Sequence, residues 1–388
     1  MPKTKVIHII TKMELGGAQQ NTLFTVTHLD PEKFETYLLT GTGGELMDEA
    51  RNFPRLFIIA DMIREIRPLK DLKAFFQIKK ILKNIKNRPP GNAPVIVHTH
   101  SSKAGILGRW AAKAAGIGII VHSIHGFPFH DFQPFFKRRF YIFLEKCSAA
   151  ITTRFIAVSS ANIEEGIRNG ILKKENTTLI RSGIDISRFS RPTRSRNEVR
   201  KELGIAPDAP MVLMPACLKP QKAPLDFVKA CIIIKKRVEN AVFIHAGDGL
   251  LRPAVESALK DLGLQDCFQL LGWRRDIPDL IHAADVLVLT SRWEGLPRVI
   301  PQAMAAARPV VVTRVNGSPE AVRDKETGFL VTPGNINDIA EKIVLILKHP
   351  EKAAKMGKAA RGRVNAFDIH KMVTDQEKLY DELSNFPQ

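Results

Sequence analysis

The residues best suited to chemistry lie in the second half of the chain, where polar and glycine-rich segments interrupt apolar runs. These segments are Gly272-Trp273-Arg274-Arg275-Asp276, Ser291-Arg292-Trp293-Glu294-Gly295-Leu296-Pro297 and Gly317-Ser318-Pro319-Glu320. Pro297 suits the first turn of a helix, where its missing N–H costs nothing, although Pro301 predicts that the helix begins a residue or more later. Backbone amides at such a helix start can hold an anion beside Glu294.

A second candidate anion site follows the first apolar strand-like run. Here the segment Met13-Glu14-Leu15-Gly16-Gly17-Ala18-Gln19 precedes a helical pattern. Gly16 and Gly17 would let backbone N–H groups approach a phosphate, and the helix dipole would favour its charge. A tight turn without a ligand has the same signal, and the G-x-G-x-x-G spacing of dinucleotide-binding enzymes is missing.

Histidines gather after two later strand-like runs. The first group lies in His98-Thr99-His100-Ser101-Ser102-Lys103, and the second lies in His122-Ser123-Ile124-His125-Gly126-Phe127. Both follow predicted strands at the carboxyl edge of a parallel sheet, where open α/β sheets bind ligands. Each could equally be a hydrogen-bonded structural histidine. Since no carboxylate or thiolate accompanies them at ligand spacing, we predict no metal site.

The elements that must position these residues are short β-type runs alternating with helix-length segments, a pattern typical of parallel α/β sheets. One series of predicted strands comprises 6–10, 37–39, 95–98, 119–123 and 155–158, and a second comprises 211–214, 242–246, 268–271, 286–289 and 310–313. Charge and proline interrupt the periodicity between them. We predict a first domain at 1–190, a linker at 191–208, a second domain at 209–365, and a C-terminal helix at about 366–388 that packs back on the first domain.

Composition excludes several classes of protein. The 388 residues are 44% hydrophobic and 25% charged, which suffices for two cores and is too apolar for a disordered chain. No apolar run reaches the roughly 20 residues needed to span a bilayer, so we expect a cytoplasmic protein. The four cysteines are far apart and predict neither a disulfide framework nor a zinc site.

The net charge of +18 is concentrated in the first half of the chain. Residues 1–190 hold 28 Lys and Arg against 16 Asp and Glu, a balance of +12. Residues 64–88 hold nine basic side chains against two acidic ones, interleaved with apolar residues, and predict a basic amphipathic helix. Such a helix can either cover the sheet with a solvated face or dock on an anionic membrane leaflet.

Taken together, these motifs resemble those of the retaining glycosyltransferases of glycosyltransferase family 4, which have the GT-B fold. The resemblance covers nearly the whole chain. It is carried by Gly16-Gly17-Ala18-Gln19, His125-Gly126-Phe127, Val158-Ser159, Gly183-Ile184-Asp185-Ile186-Ser187-Arg188-Phe189, the segment around Glu294, and Thr327-Gly328-Phe329-Leu330. It implies an α/β protein with two Rossmann-like domains facing each other across a cleft that binds a nucleotide sugar.

The resemblance also implies roles for individual residues. Gly16 and Gly17 would approach the donor diphosphate, and His125 and Glu294 would be the catalytic residues beside the donor sugar. The remaining donor-binding residues implied in this way are Lys222, Lys219, Arg274, Gly295, Leu296, Pro297 and Gln302.

Three positions depart from the family pattern. In Ala216-Cys217-Leu218-Lys219-Pro220-Gln221-Lys222-Ala223 the family lysine is kept, but Cys217 replaces the family arginine, whose bidentate geometry Lys219 cannot reproduce. Gln302 replaces the second of two glutamates and loses charge-assisted bonding to the ribose. Ala307 replaces a glycine before Arg308-Pro309. The first two changes bear on donor affinity and nucleotide choice rather than on the fold, and the third is a mild change in a turn.

The implied reaction moves a hexose-type sugar from a UDP- or GDP-sugar to a glycan or lipid-linked acceptor, with retention of configuration. Positive charge develops on the sugar ring and negative charge on the departing diphosphate. Lys222 and the amides of Gly16 and Gly17 would stabilise the diphosphate. Since the sequence contains no D-x-D triplet, we expect no obligatory metal, and the nucleotide sugar is a substrate rather than a cofactor.

The acceptor is indicated only by residues 127–140, an aromatic and basic segment that follows His125. This segment either borders an acceptor site, meets a membrane, or forms a buried aromatic helix with a solvated edge. Together with residues 64–88 it favours a lipid-linked acceptor at the inner membrane leaflet, as in cell-surface polysaccharide or lipopolysaccharide synthesis.

Other classes of protein fit less well. A nucleic-acid-binding protein would explain the charge, but no binding-domain signature is present. An NAD-dependent oxidoreductase would need the glycine fingerprint. A sugar-nucleotide 2-epimerase or a phosphorylase shares the two-domain fold, and an epimerase would convert a nucleotide sugar without any acceptor.

Overall fold

The computed structural model describes residues 2–385 and divides the chain into two compact α/β units. The first unit comprises Met1–Gly183 together with Ile369–Gln388, and the second comprises Ile184–Asp368. The predicted C-terminal helix therefore belongs to the first unit. The last three residues assigned to it, 386–388, lie outside the described residues.

The first unit is built on a seven-stranded parallel sheet. Its strands are β1 (Thr4–Ile10), β2 (Phe34–Thr40), β3 (Leu56–Ile58), β4 (Val95–His100), β5 (Ile119–Ile124), β6 (Arg154–Ala157) and β7 (Thr177–Leu179). Their order across the sheet is β3-β2-β1-β4-β5-β6-β7. The helices are α1 (Gly17–His28), α2 (Met47–Arg51), α3 (Pro68–Lys86), α4 (Ser102–Ala114), α5 (Phe135–Ala149) and α6 (Ser160–Arg168).

The second unit repeats this plan with six parallel strands. They are β8 (Met211–Pro215), β9 (Val242–Ala246), β10 (Phe268–Leu270), β11 (Val286–Leu289), β12 (Val310–Thr313) and β13 (Gly328–Val331), in the order β10-β9-β8-β11-β12-β13. The helices are α7 (Ile186–Ser190), α8 (Arg196–Glu202), α9 (Pro224–Arg237), α10 (Arg252–Asp261), α11 (Ile277–Ala283), α12 (Val299–Ala305), α13 (Ser318–Ala321), α14 (Ile336–Lys348) and α15 (Pro350–Arg361).

Helix α16 (Ile369–Asn385) covers one face of the first sheet. Its Leu379 and Tyr380 are buried in a cluster with Val6, Ile96 and Val121 from three adjacent strands. The opposite face of the sheet packs against α3 and α4 through a second apolar cluster. Within residues 2–385, no helix combines the length and the apolar composition needed to cross a bilayer.

All ten predicted strands are present in the structure, and three further strands were missed. The missed strands are β3, β7 and β13, each three or four residues long and each at the edge of its sheet. Edge strands are hydrogen-bonded on one side only, and β3 and β7 are only partly buried. β3 (LFI) and β13 (GFLV) are nevertheless apolar and could have been predicted, whereas β7 (TTL) is mostly polar.

The predicted linker at 191–208 lies inside the second unit. Its charged residues are anchored on that unit, because Arg196 and Arg200 both form ion pairs with Asp285, at 2.6 and 2.9 Å. The Thr193 N–H donates to Asp279 at 2.7 Å. The charged residues that interrupt the apolar periodicity thus attach this segment to the second unit. The chain crosses between the units at 183–184 and 368–369.

Two alanines lie in left-handed backbone, and one of them, Ala307, is a departure from the family pattern. Ala223 has φ 44° and ψ 54°, and Ala307 has φ 52°. An L-residue with a Cβ atom is strained there by about 1–2 kcal/mol, whereas glycine is not. Ala307 therefore costs stability in the turn after α12, where the sequence had indicated only a mild change.

We expect Ala307→Gly to raise the free energy of unfolding of the second unit by up to about 1 kcal/mol. The relief of strain exceeds the extra chain entropy that glycine has when unfolded. Ala303→Gly, the same substitution in regular helix α12, should instead lower stability by about 1 kcal/mol. Urea unfolding of both variants measures the difference, and a loss of stability in both would contradict the strain at Ala307.

Candidate active site

In the first unit, the glycine and histidine candidates lie at the carboxyl edge of the sheet. Strands β1, β4 and β5 are parallel neighbours. Gly16 and Gly17 follow β1, His100 ends β4, and His125 follows β5. Because parallel strands end at the same edge, the topology collects these residues on one side of the unit.

Gly16 is the N-cap of α1. Its backbone is extended, and its carbonyl accepts a hydrogen bond from the Gln20 N–H at 3.0 Å. Within a helix, the N–H groups of the first turn have no acceptor because no turn precedes them. The start of this 12-residue helix, with Gly17 as its first residue, is therefore suited to bind an anion.

The histidines are divided between the two faces of the sheet. His98 and His100 are two residues apart on β4, and His8 pairs with His98 across the β1–β4 register. Since side chains alternate along a strand, all three share one face, towards α16. His122 lies on the other face, where its Nδ1 is 2.8 Å from the Thr99 hydroxyl. The structure thus separates His122 from the other predicted histidines.

A continuous series of hydrogen bonds joins the histidines on the α16 face. His8 Nδ1 is 3.0 Å from His100 Nε2, and His100 Nδ1 is 3.3 Å from His125 Nε2. Beside them, the His98 ring bonds to the Ser123 and Tyr380 hydroxyls, at 2.8 and 2.5 Å. His125, which is only partly buried, is thus held from behind by fully buried imidazoles.

Burial keeps these imidazoles neutral. It lowers the pKa of His8 to about 3 and holds the pKa of His98, His100 and His122 well below the ordinary value of 6.5. Neighbouring imidazoles lower the pKa of His98 and His100 further. A neutral imidazole donates one hydrogen bond and accepts another, so adjacent rings can bond to each other without a net charge.

The same proximity would allow a metal ion to bind. His8, His98 and His100 offer ring nitrogens that lie within 4.8 Å of one another. However, His98 and His100 use both of their ring nitrogens in hydrogen bonds, and His8 uses one. A bound metal would have to replace these bonds, so mutual hydrogen bonding accounts for the arrangement without one.

In the second unit, Lys222 and Glu294 form an ion pair. Lys222 comes from the loop after β8, and Glu294 comes from the loop after β11, the next strand in the sheet. The glutamate is almost fully buried and its Oε1 also accepts a hydrogen bond from the Ser291 hydroxyl at 2.5 Å. The structure therefore brings together two residues that are 72 positions apart in the sequence.

Backbone contacts between the two loops fix this pair. The Thr290 hydroxyl donates to the Lys222 carbonyl at 2.9 Å, and the Arg292 N–H donates to the Gln221 carbonyl at 2.8 Å. Left-handed Ala223 ends the first loop and allows α9 to begin at Pro224. The lysine is thus held at both its carbonyl and its ammonium group.

Several residues that hold Glu294 were missed in the sequence. The Asn316 side chain accepts a hydrogen bond from the Glu294 N–H at 3.0 Å, and the Gln221 amide lies 3.5 Å from its carboxylate. These roles depend on loop conformation, and no spacing in the sequence indicates them.

Gly295, Leu296 and Pro297 are buried in the stretch between Glu294 and α12. The helix begins at Val299, two residues after Pro297. Pro301 is therefore its third residue, where the missing N–H has no acceptor in any case. The sequence-based expectation of a delayed helix start is confirmed.

The other donor-site candidates are Arg274, Gln302 and Lys219. Arg274 is paired with Asp276 at 2.6 Å and with Glu202 of α8 at 2.9 Å, which raises its pKa. Gln302 lies within α12, and Lys219 precedes the short turn that carries Lys222. Their roles in binding a donor stay predictions.

The two parallel-sheet units, with glycines and histidines at one carboxyl edge and a Lys–Glu pair at the other, define a GT-B glycosyltransferase. Residues 15–188 match the family described as Glycosyltransferase Family 4, and residues 195–363 match Glycosyl transferases group 1. These matches fall almost entirely within the first and second unit, respectively.

Known proteins are similar over most or nearly all of the chain. The UDP-Gal:alpha-D-GlcNAc-diphosphoundecaprenol alpha-1,3-galactosyltransferase of Escherichia coli is 33% identical, over 98% of this chain and 97% of its own. The N,N'-diacetylbacillosaminyl-diphospho-undecaprenol alpha-1,3-N-acetylgalactosaminyltransferase of Campylobacter jejuni is 28% identical over 82% and 83%. The solved structure of Anabaena HepE with UDP and glucose superimposes with a TM-score of 0.84 at 21% identity, over 98% of this chain and 100% of that one. The chain belongs to glycosyltransferase family 4.

Because the fold holds its buried histidines neutral, we expect the protein to lose stability in mild acid. Their pKa values are lower in the folded chain than in the unfolded chain, so below pH 6.5 the unfolded state binds more protons. Each such histidine lowers the free energy of unfolding by about 1.4 kcal/mol per pH unit between pH 6.5 and its folded pKa. Urea unfolding at about pH 7.5 and pH 5.5 measures this loss.

The variant His8→Asn serves as the control for this prediction. Asparagine does not titrate, so the variant should lose less stability between the two pH values than the wild type, by roughly the share of one histidine. Equal losses in both proteins would show that His8 is not held neutral by the fold.

Proposed function

We propose that the protein transfers a hexose from a UDP-sugar to a sugar carried on a polyprenyl diphosphate, with retention of configuration, in cell-surface polysaccharide synthesis. The observation that carries the proposal is the similarity, over 98% of the chain, to a galactosyltransferase whose name specifies UDP-Gal, a diphosphoundecaprenol-linked acceptor and an alpha linkage. The Campylobacter relative is also named for an undecaprenol-linked acceptor. UDP-galactose is accordingly the first donor to test.

The Lys222–Glu294 pair supports the donor-binding part of the proposal. An ammonium group has three donors, so Lys222 can keep its bond to Glu294 while it donates to a diphosphate oxygen. Glu294, fixed by Ser291 and Asn316, can accept hydrogen bonds from sugar hydroxyls. The pair therefore suits a ligand in which a phosphate and a sugar are directly joined.

Retention of configuration has a simple account in this chemistry. The bond from the sugar C1 to the diphosphate oxygen breaks, and the acceptor hydroxyl forms its bond to C1 on the same face. Its proton passes to an oxygen of the departing diphosphate. Lys222 would stabilise the negative charge, an effect worth about 3 kcal/mol for one such donor. We expect transfer to proceed without an added divalent metal.

An exposed aromatic and basic surface supports the lipid-linked acceptor. Helices α3 and α5 both pack against α4, and so lie on the same side of the first sheet. Leu69 and Leu72 of α3 and Phe136 and Phe140 of α5 are exposed, Phe136 to 85%. Lysines and arginines lie among them on both helices. Apolar side chains ringed by positive charge fit an anionic lipid surface, which we propose as the partner of this face.

Donor binding should depend on Lys222. UDP-galactose at 100 times its dissociation constant should stabilise the wild type by about 2.7 kcal/mol, which a thermal-shift assay detects. Lys222→Ala should abolish the shift, whereas Lys236→Ala, at an exposed position near the end of α9, should retain it.

The same proteins test the reaction. Wild type and Lys236→Ala should form an alpha-linked product from UDP-galactose and a polyprenyl-diphosphate-linked N-acetylglucosamine, with Lys222→Ala at least 100-fold slower. NMR of the product reads the anomeric configuration. A beta-linked product would refute retention, and an altered nucleotide sugar formed without acceptor would indicate an epimerase instead.

The exposed surface on α3 and α5 should bind anionic membranes. We expect the protein to float with vesicles that contain anionic lipid, more weakly as salt rises, and not with neutral vesicles. The double variant Phe136→Ser with Phe140→Ser should bind less, whereas Leu250→Ser, at a 70% exposed position of the second unit, should bind as the wild type does. Equal flotation with neutral and anionic vesicles would remove this partner.

A further inference from the structure

The row of hydrogen-bonded imidazoles behind His125 has a direction. His8, His100 and His125 are joined end to end through ring nitrogens, with His100 using both of its nitrogens. A neutral imidazole carries one proton, on either Nδ1 or Nε2. If His100 donates to one neighbour, it must accept from the other. With all three rings neutral, their protons are therefore coupled, and only two arrangements are consistent with both bonds.

In the first arrangement, His8 Nδ1–H donates to His100 Nε2, and His100 Nδ1–H donates to His125 Nε2. The remaining proton of His125 is then on Nδ1. In the second arrangement every donor and acceptor is exchanged, so that His125 carries its proton on Nε2 and His8 carries its proton on Nε2. The two arrangements thus differ at both ends of the row.

The buried end of the row favours the first arrangement. His8 is fully buried, and its Nε2 has no hydrogen-bond partner among the described residues. A buried N–H without an acceptor is rarer in proteins than a buried acceptor without a donor. The second arrangement would place such an N–H at His8, whereas the first leaves only a lone pair there.

We propose that His8 and His100 are positioning residues that hold His125 with its proton on Nδ1, so that it donates a hydrogen bond to an oxygen of the bound sugar. This inference rests on the proposed function for its ligand, a hexose joined to a nucleoside diphosphate. The hydrogen-bond direction itself rests only on the geometry of the row.

A neutral donor suits the proposed reaction. The sugar ring gains positive charge as its bond to the diphosphate breaks, and an imidazolium beside it would oppose that charge. Burial holds the pKa of His100 well below its ordinary value, so His100 does not supply a proton that would charge His125. The neighbouring His98, bonded to Ser123 and to Tyr380 of α16, fixes the adjacent ring of the row.

The direction can be observed without substrate. In protein labelled with ¹⁵N-histidine, long-range ¹H–¹⁵N correlation spectra distinguish the Nδ1–H tautomer from the Nε2–H tautomer, and the spectrum of His125→Gln identifies the His125 signals. We expect the Nδ1–H tautomer at His125 in the wild type. An Nε2–H tautomer would overturn the proposal, whether or not the protein transfers sugar.

Variants at His8 test the positioning role. In His8→Leu the donor to His100 is lost, so His125 should show both tautomers, and kcat/KM for transfer should fall about two- to tenfold, the loss of one neutral hydrogen bond. His8→Asn can still donate from its amide and should recover part of the activity. His122→Leu removes a buried imidazole from the opposite face of the sheet and should leave the His125 tautomer unchanged.

The outcomes separate this inference from the proposed function. If His8→Leu has the wild-type tautomer and wild-type transfer, the positioning role is refuted while the glycosyltransferase stands. If no sugar is transferred by the wild type, the proposed function fails and the spectra still decide the direction of the row. If His8→Leu does not fold, the wild-type spectrum alone confirms or refutes the direction.

Discussion

The alternation of side chains along parallel strands decides which residues of this protein can act together. In each unit, the crossovers bring the strand ends to one edge, and the candidate side chains follow those ends. Successive side chains along a strand point to opposite faces of the sheet, so residues two positions apart share a face. His98, His100 and His125 meet because they lie on the α16 face, and His122 is excluded because it lies on the other.

Most strands and the loops that carry the candidate residues could be predicted from the sequence. Long buried strands have continuous apolar runs, and the resemblance to the family identifies the loop motifs. The division of the histidines between faces could also have been predicted from their spacing, given a sheet covered on both sides. The roles of Asn316 and Ser291 could not, because each depends on how a loop folds around Glu294. The position of the domain junction was obscured by charges that are paired with Asp279 and Asp285.

The loop at Lys222 holds Ala223 in left-handed backbone, a conformation that alanine disfavours. Ala223 is strained, yet the Thr290 hydroxyl, which donates to the carbonyls of both Lys222 and Ala223, holds the backbone in place. Strain persists only where the surroundings determine the conformation more strongly than the residue does. The contacts between the loops after β8 and β11 therefore set the position of the lysine.

The buried imidazoles are polar groups that stand where a sheet core usually has apolar side chains. Val6, Ile96 and Val121 occupy the same face one step earlier along the strands and pack with Tyr380 without any hydrogen bond. A buried polar group is tolerated only when it is bonded. What the histidines add is orientation, because each ring fixes the proton of the next. Through the row, the packed core therefore fixes the orientation of His125, the imidazole of the row that is partly exposed.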